Sequence, residues 1–226
     1  MVAVAFGLCI FLLRRVAKSQ GFKPDMISDL AFWSLLSGIV GGRIFYVLLN
    51  LDYFRDNPGE IVMLHHGGLV WYGGLLFGVV AAVVYSKINK LSILKILDLF
   101  VPYIALGQAI GRLGCFLNGC CYGKPVSWGV YFPSHNARLH PTQLYSFVNL
   151  LIIFLLLRWM QNRSKVKGGV VALYLILASL ERFIVEFFRG DSPEFILGLT
   201  VFQVISLAIF ILALYGNFLL YSRQRK

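Results

Sequence analysis

Apolar stretches of about 20 residues recur along the whole of this 226-residue chain. They fall near 1–13, 30–49, 67–85, 97–117, 141–160, 168–188 and 196–221, and nothing constrains the fold more. The chain is 58% hydrophobic and only 14% charged. In water so much apolar surface would drive aggregation. In a bilayer about 20 apolar residues make one helical crossing. A membrane β-barrel would show alternating strands of about 10 residues instead, and the sequence has none. The pattern predicts an all-α polytopic membrane protein with about seven transmembrane helices. Residues 1–226 read as a single membrane domain without repeats, low-complexity tracts or a soluble appendage. The first run is short, about 20 Å as a helix against a core of about 30 Å. It lacks the basic start of a secretory signal. The expectation is an N-terminally short first helix, from a clipped or misassigned start or from shielding by its neighbours.

The formal net charge of +11 raises nucleic acid as a partner, and its distribution argues against one. Seven crossings put the basic residues of 14–23, 87–95, 158–167 and 223–226 on one side, 14 of the 21 in the chain. The positive-inside rule makes that side cytoplasmic. The N-terminus is then outside and the C-terminus inside. These residues serve as topology anchors and contacts for anionic lipid head groups.

Positive charge also gathers where that rule does not explain it. Arg43, Arg112 and Arg182 sit within or beside apolar segments, and Lys124, Arg138 and Arg189 stand at outer ends. A guanidinium cannot shed its charge, and near the bilayer centre it costs roughly 2.5–3.5 kcal/mol even on the lenient insertion scale. One account is snorkelling or pairing with carboxylates. The other, favoured, is a pocket for the head group of an anionic lipid. The segment 107–123 carries the strongest signal, with Arg112 set among glycines and apolar residues. In 181–189, Arg182, Glu186 and Arg189 share one helical face at spacings of four and three. That arrangement is either a self-compensating ladder or a phosphate site with surplus positive charge. His140-Pro141-Thr142-Gln143-Leu144-Tyr145 opens a helix, where the dipole favours an anion; a plain cap would not need Gln143 and Tyr145. In 65–75, two Gly-Gly pairs flank Trp71 and Tyr72. This reads equally as tight packing or as a site placing Tyr72 or a histidine by the reacting centre.

Cys115, Cys120 and Cys121 fall at the outer edge, where a disulfide could form. A zinc site with His135 or His140 matches no standard ligand spacing, and no metal ligand is assigned. Cys9 reads as a small hydrophobe.

Five elements, in collinear order over nearly the whole chain, resemble bacterial prolipoprotein diacylglyceryl transferase. They are Gly111-Arg112-Leu113-Gly114-Cys115-Phe116-Leu117-Asn118, the His140 to Tyr145 element, 182–189, 41–46 and 202–207. The resemblance implies transfer of a diacylglyceryl group from phosphatidylglycerol to the lipobox cysteine thiol of prelipoproteins. That is the first step of lipoprotein maturation, in the bacterial inner membrane with the active site toward the outer leaflet. It implies no metal or soluble cofactor. Arg112 and Arg182 would stabilise the departing phosphate. Asn118, Gly123, Gln143, Tyr145, Glu186 and Arg189, with Arg112, would line the substrate pocket. The acceptor must become a thiolate. The chain departs from the family where many members have histidine, here Tyr72, and tyrosine, here Ala178. Cys115, Cys120 and Ser146 also replace the usual Asn, Glu and Glu. The base is therefore open among Tyr72, His65, His66 and His140. Two other functions fit the same residues: a related transferase with another acceptor or donor, and a non-catalytic lipid-binding or transport protein on this scaffold.

Overall fold

Each predicted apolar segment holds a long helix. The computed structural model describes residues 1–64, 67–164 and 166–224, the side chains of Trp71, Arg223 and Gln224 excepted. The helices are α1 (Val2–Ser19), α2 (Pro24–Leu49), the short α3 (Leu51–Asp56), α4 (Trp71–Ile88), α5 (Ile93–Asn118), α6 (Thr142–Gln161), α7 (Gly169–Glu186) and α8 (Val201–Gln224). Two antiparallel hairpins interrupt them, β1 (Pro125–Phe132) with β2 (Ala137–Leu139), and β3 (Glu194–Ile196) with β4 (Leu199–Thr200). Among the described residues, α2, α5, α6 and Val201–Ser222 of α8 are long and apolar enough to cross a membrane. Only 11% of the most apolar window of α8 is buried, so its side chains face outward, as lipid contact requires. The chain is a mostly helical, polytopic membrane protein.

The first helix runs past its apolar stretch to Ser19. Arg14, Arg15 and Lys18 are good helix formers, and cations in a last turn suit the helix dipole. Between α5 and α6, residues 122–140 contain the β1–β2 hairpin. Its reversal is closed by a 3-10 turn at Pro133–His135 and by Asn136 at φ 48°, a left-handed conformation that asparagine tolerates.

The chain packs as two units. In residues 14–96, α2 and α4 approach through glycines. A Cβ on Gly73 would lie 2.5 Å from the Gly41 carbonyl oxygen, and one on Gly38 3.2 Å from that of Gly74. Packing thus accounts for the Gly73-Gly74 pair. Arg43 is buried and donates to the carbonyls of Ile61 (2.9 Å), Gly67 (2.6 Å), Gly68 (3.1 Å) and Met63 (3.3 Å). Its donors are committed to clasping that loop, so it is no anion site.

The second unit comprises residues 1–13 and 97–226. Its core joins Val101, Ala105 and Ala109 of α5, Leu150, Ile153 and Leu157 of α6, and Val170 of α7. Asp98 of α5 caps α7, accepting from the backbone N–H groups of Gly168 (2.6 Å) and Val171 (2.9 Å). A capping box starts α8: the Thr200 N–H donates to Gln203 Oε1 (2.9 Å), and the Gln203 N–H to Thr200 Oγ1 (3.3 Å). The first tie joins the starts of α5 and α7, and the second fixes the start of α8, which lies beside the end of α7.

Candidate active site

The C-terminus of α5 sets the first wall of the site. Helix α5 ends in a Schellman motif, with Gly119 at φ 70°. The Gly119 N–H donates to the Phe116 carbonyl and the Cys120 N–H to the Cys115 carbonyl, both at 3.1 Å. Arg112 lies within the last two turns, half-buried. Among the described residues it forms no direct ion pair, although its charge reaches Glu181 and Arg182. Asn118 is exposed at the helix end.

The second wall is the end of α7. Arg182, Glu186 and Arg189 come together, but α7 ends at Glu186 and Arg189 reaches the carboxylate from beyond the helix, not from a shared helical face. Arg182 meets the fully buried Glu186 carboxylate at 2.9 Å, and Arg189 lies 3.8 Å from the same oxygen. Arg182 also stacks over Phe202, 4.7 Å from the ring centroid, and Thr200 Oγ1 donates to Glu186 at 3.1 Å. The expected surplus of positive charge is smaller than the three-residue face alone implies. Arg189 makes a two-pronged pair with Asp191 (2.8 and 2.6 Å), and buried Glu181 faces Arg112 and Arg182. Three guanidiniums therefore stand with three carboxylates. Burial disfavours the Arg189 charge, but Asp191, Cys121 and Glu186 lift its pKa above the ordinary arginine value.

Gly123 joins the walls. Its N–H donates to the His140 carbonyl (3.0 Å), the next N–H, of Lys124, donates to Phe188 (2.8 Å), and Gly190 N–H donates to Tyr122 (3.2 Å). A side chain has no room there, since a Cβ would lie 2.7 Å from the Phe188 oxygen and 2.8 Å from that of His140. Gly123→Ala should cost about 1–3 kcal/mol by overpacking, read as a lower unfolding midpoint in detergent. A parental midpoint would instead reserve the glycine for close approach of a ligand.

The start of α6 completes the site. Gln143 is 1% exposed. Its Nε2 donates to the Cys120 carbonyl (2.7 Å) while its Oε1 is buried without a partner among the described residues. Thr142 Oγ1 donates to the Cys121 carbonyl (2.7 Å). His140 Nδ1 shares a hydrogen bond with the Tyr145 hydroxyl at 3.0 Å. The imidazole is enclosed by Trp128 and Phe188, with centroids at 4.9 and 5.5 Å. Tyr72 is an exposed residue of the first turn of α4, in the other unit. His65 and His66 lie outside the described residues.

Sequence reasoning missed Glu181, Asp191 and Tyr174. Glu181 had a signal, a carboxylate inside an apolar run. Tyr174 lies one turn before Ala178, and its hydroxyl donates to Gln108 of α5 at 3.0 Å. Gln108 is itself one turn before Arg112, so the α5 and α7 faces are cross-linked beside the arginines.

Fold and site define a class: a polytopic helical membrane protein whose second unit buries an arginine–carboxylate cluster between helix ends. The profile of the prolipoprotein diacylglyceryl transferase family matches residues 1–219, and the chain belongs to that family. It is 41% identical to the phosphatidylglycerol–prolipoprotein diacylglyceryl transferase of Finegoldia magna, covering 87% of this chain and 79% of that one. The proteins of the same name in Clostridium tetani and Thermosynechococcus vestitus are 36% and 34% identical. The alignments cover 95% and 100% of this chain and 89% and 88% of theirs.

Proposed function

We propose that this chain transfers the diacylglyceryl group of phosphatidylglycerol to the lipobox cysteine thiol of prelipoproteins. The observation that carries the reading is Arg112. It is a half-buried guanidinium without a direct ion pair among the described residues, beside a frame in which Arg182 and Arg189 are already held by carboxylates. The acceptor thiolate attacks the glyceryl carbon, the carbon–oxygen bond breaks, and the electron pair leaves with glycerol phosphate. Charge grows on that phosphate. Guanidinium donors fixed in advance stabilise it without reorganisation, and the planar fork suits two phosphate oxygens.

Arg112 and Arg182 act on the phosphate, Arg189 and Glu186 hold the frame, and Asn118, Gln143 and Tyr145 line the substrates. Gly123 keeps the two walls in register. The thiol proton goes to His140 when Nδ1–H donates to Tyr145, which leaves Nε2 to accept it. Tyr72 is the alternative acceptor by its place in the family pattern, although a neutral phenol is a weak base. The same reading gives seven crossings, the N-terminus outside, the C-terminus in the cytoplasm and the site toward the outer leaflet of the inner membrane.

The test is direct. Purified protein, labelled phosphatidylglycerol and a lipobox peptide should yield a thioether-linked diacylglyceryl peptide and glycerol phosphate, read by mass spectrometry. Lipid binding with no such product would make the protein a lipid-binding member of the family. Product with another lipid only would reassign the donor.

A further inference from the structure

The family resemblance implies no metal, and the three clustered cysteines are where this chain departs from the family pattern. The Sγ atoms of Cys115, Cys120 and Cys121 all lie within 4.8 Å of one another, and none is in a disulfide. Part of this grouping follows from helix ending alone. In a Schellman motif the third residue from the helix end commonly touches the second residue past the cap in a hydrophobic contact. Cys115 and Cys120 hold those two positions, and two thiols could serve there as small hydrophobes. That account leaves Cys121 unexplained. Its backbone takes a left-handed φ of 62°, which most side chains avoid, and its thiol joins the pair.

Two cations stand near the cluster. Arg112 lies one turn before Cys115 on α5, and Arg189 is close enough to Cys121 for their charges to interact. Three thiolates around a divalent ion carry a net charge of −1, which these cations offset. The loop is also pinned, by Gln143 on the Cys120 carbonyl and Thr142 on that of Cys121. Zinc–sulfur bonds of about 2.3 Å in tetrahedral geometry need sulfurs roughly 3.8 Å apart. Contraction from the observed spacing is within the reach of side-chain rotation. His135 is engaged elsewhere: its Nε2 bonds the Gly119 carbonyl (3.1 Å) and its ring lies against Tyr122, tilted by 45° with centroids 3.9 Å apart.

We propose that Cys115, Cys120 and Cys121 bind one thiophilic divalent ion, zinc by its chemistry, as three thiolates with the fourth position open to an external ligand. Binding releases the three thiol protons to solvent and involves no redox step. Three protein ligands and one exchangeable position are the pattern of reactive zinc sites, not structural ones. On the transferase reading the fourth ligand is the acceptor thiol, which a metal holds as thiolate. That clause alone rests on the proposed function; the metal site does not.

The test uses the full chain in detergent, reduced and kept free of oxygen, with Co2+ as probe. One equivalent should produce thiolate-to-cobalt charge-transfer absorption, which Zn2+ abolishes. Cys115→Ala, Cys120→Ala and Cys121→Ala should each weaken binding at least ~100-fold, whereas Cys9→Ala should bind like the parent. In the unmutated chain Zn2+ should protect these three thiols from alkylation and leave Cys9 at its own rate, a readout that does not depend on any variant folding. A cysteine-containing peptide should strengthen the charge-transfer band if the fourth position is open, and an unchanged band overturns that part. The site itself is overturned by absence of the band, by its survival in all three variants, by alkylation that zinc does not slow, or by a mass two hydrogens low that marks a disulfide. Failure of lipid transfer with the metal bound would count against the proposed function and leave the site standing.

Discussion

Arg112→Lys and Arg112→Ala should both lower transfer about 100–1,000-fold while the protein stays in the membrane at its normal level. Removing one fixed donor from a developing oxyanion typically costs that much. The lysine variant is the sharper of the two. It keeps the charge and loses the planar fork, which is what two-point recognition of a phosphate requires. Arg112 is expected to matter most because its partners are few. Arg182 is engaged by Glu186 and Arg189 by Asp191, whereas Arg112 feels Glu181 and Arg182 only through their charge. Arg138 is a suitable control. Its guanidinium reaches the Gly129 carbonyl at 3.4 Å, within the β1–β2 hairpin, so Arg138→Ala should retain turnover within about 2-fold, typical of a site outside the reaction. The measurement is initial rate with labelled phosphatidylglycerol and a lipobox peptide, alongside membrane abundance. Near-parental turnover in Arg112→Lys would reduce the residue's role to charge balance. Parental turnover in Arg112→Ala would remove it from the mechanism.

Much of this fold is legible in the sequence because its helices are set by long apolar runs, and the bilayer leaves such runs few alternatives. The pairing of Arg182 with Glu186 is legible for a similar reason, since a spacing of four on one helix is local; Arg189 joins them from just past the end of α7. The helix endings were legible in principle. Asn118-Gly119 marks the stop of α5, and Thr200 with Gln203 three residues on is a capping box. Long-range relations were not. Nothing local says that Arg43 spends its donors on the carbonyls of Ile61, Met63, Gly67 and Gly68, or that Asp98 caps a helix some 70 residues away. The charge balance failed for the same reason. Asp191 lies past the helix and curls back onto Arg189, and Glu181 is hydrogen-bonded to Ser146 of α6 and interacts with Arg112 of α5 as well as with Arg182. The thiol cluster sits between the two cases, with its first pair set by a helix ending and its third member by a backbone conformation that sequence does not disclose.

Glu186→Gln should destabilise the protein by about 3–5 kcal/mol, the usual consequence of breaking a buried ion pair from one side. The carboxylate is fully buried and lies between Arg182 at 2.9 Å and Arg189 at 3.8 Å. Arg189 keeps Asp191, so Arg182 is the cation that loses its direct ion pair. The amide also has one acceptor oxygen where the carboxylate had two, between a guanidinium and a hydroxyl that both donate. The second substitution decides the cause. Adding Arg182→Met to Glu186→Gln removes the stranded charge, and exchange of a whole buried pair for apolar groups is often neutral. The double variant should regain most of the lost unfolding midpoint in detergent, yet stay as inactive as Arg182→Met alone. Stability and activity then separate. Glu186 would be a positioning residue that makes burial of Arg182 tolerable, and Arg182 the residue the reaction uses. If the double variant is no more stable than Glu186→Gln, the loss lies in the Thr200 hydrogen bond that joins Glu186 to the start of α8, and the carboxylate is principally a link between α7 and α8. If Glu186→Gln alone has the parental midpoint, Arg182 has another way to satisfy its charge. The site would then be more open to water than its burial implies, and a phosphate would face competition there that a desolvated cluster excludes.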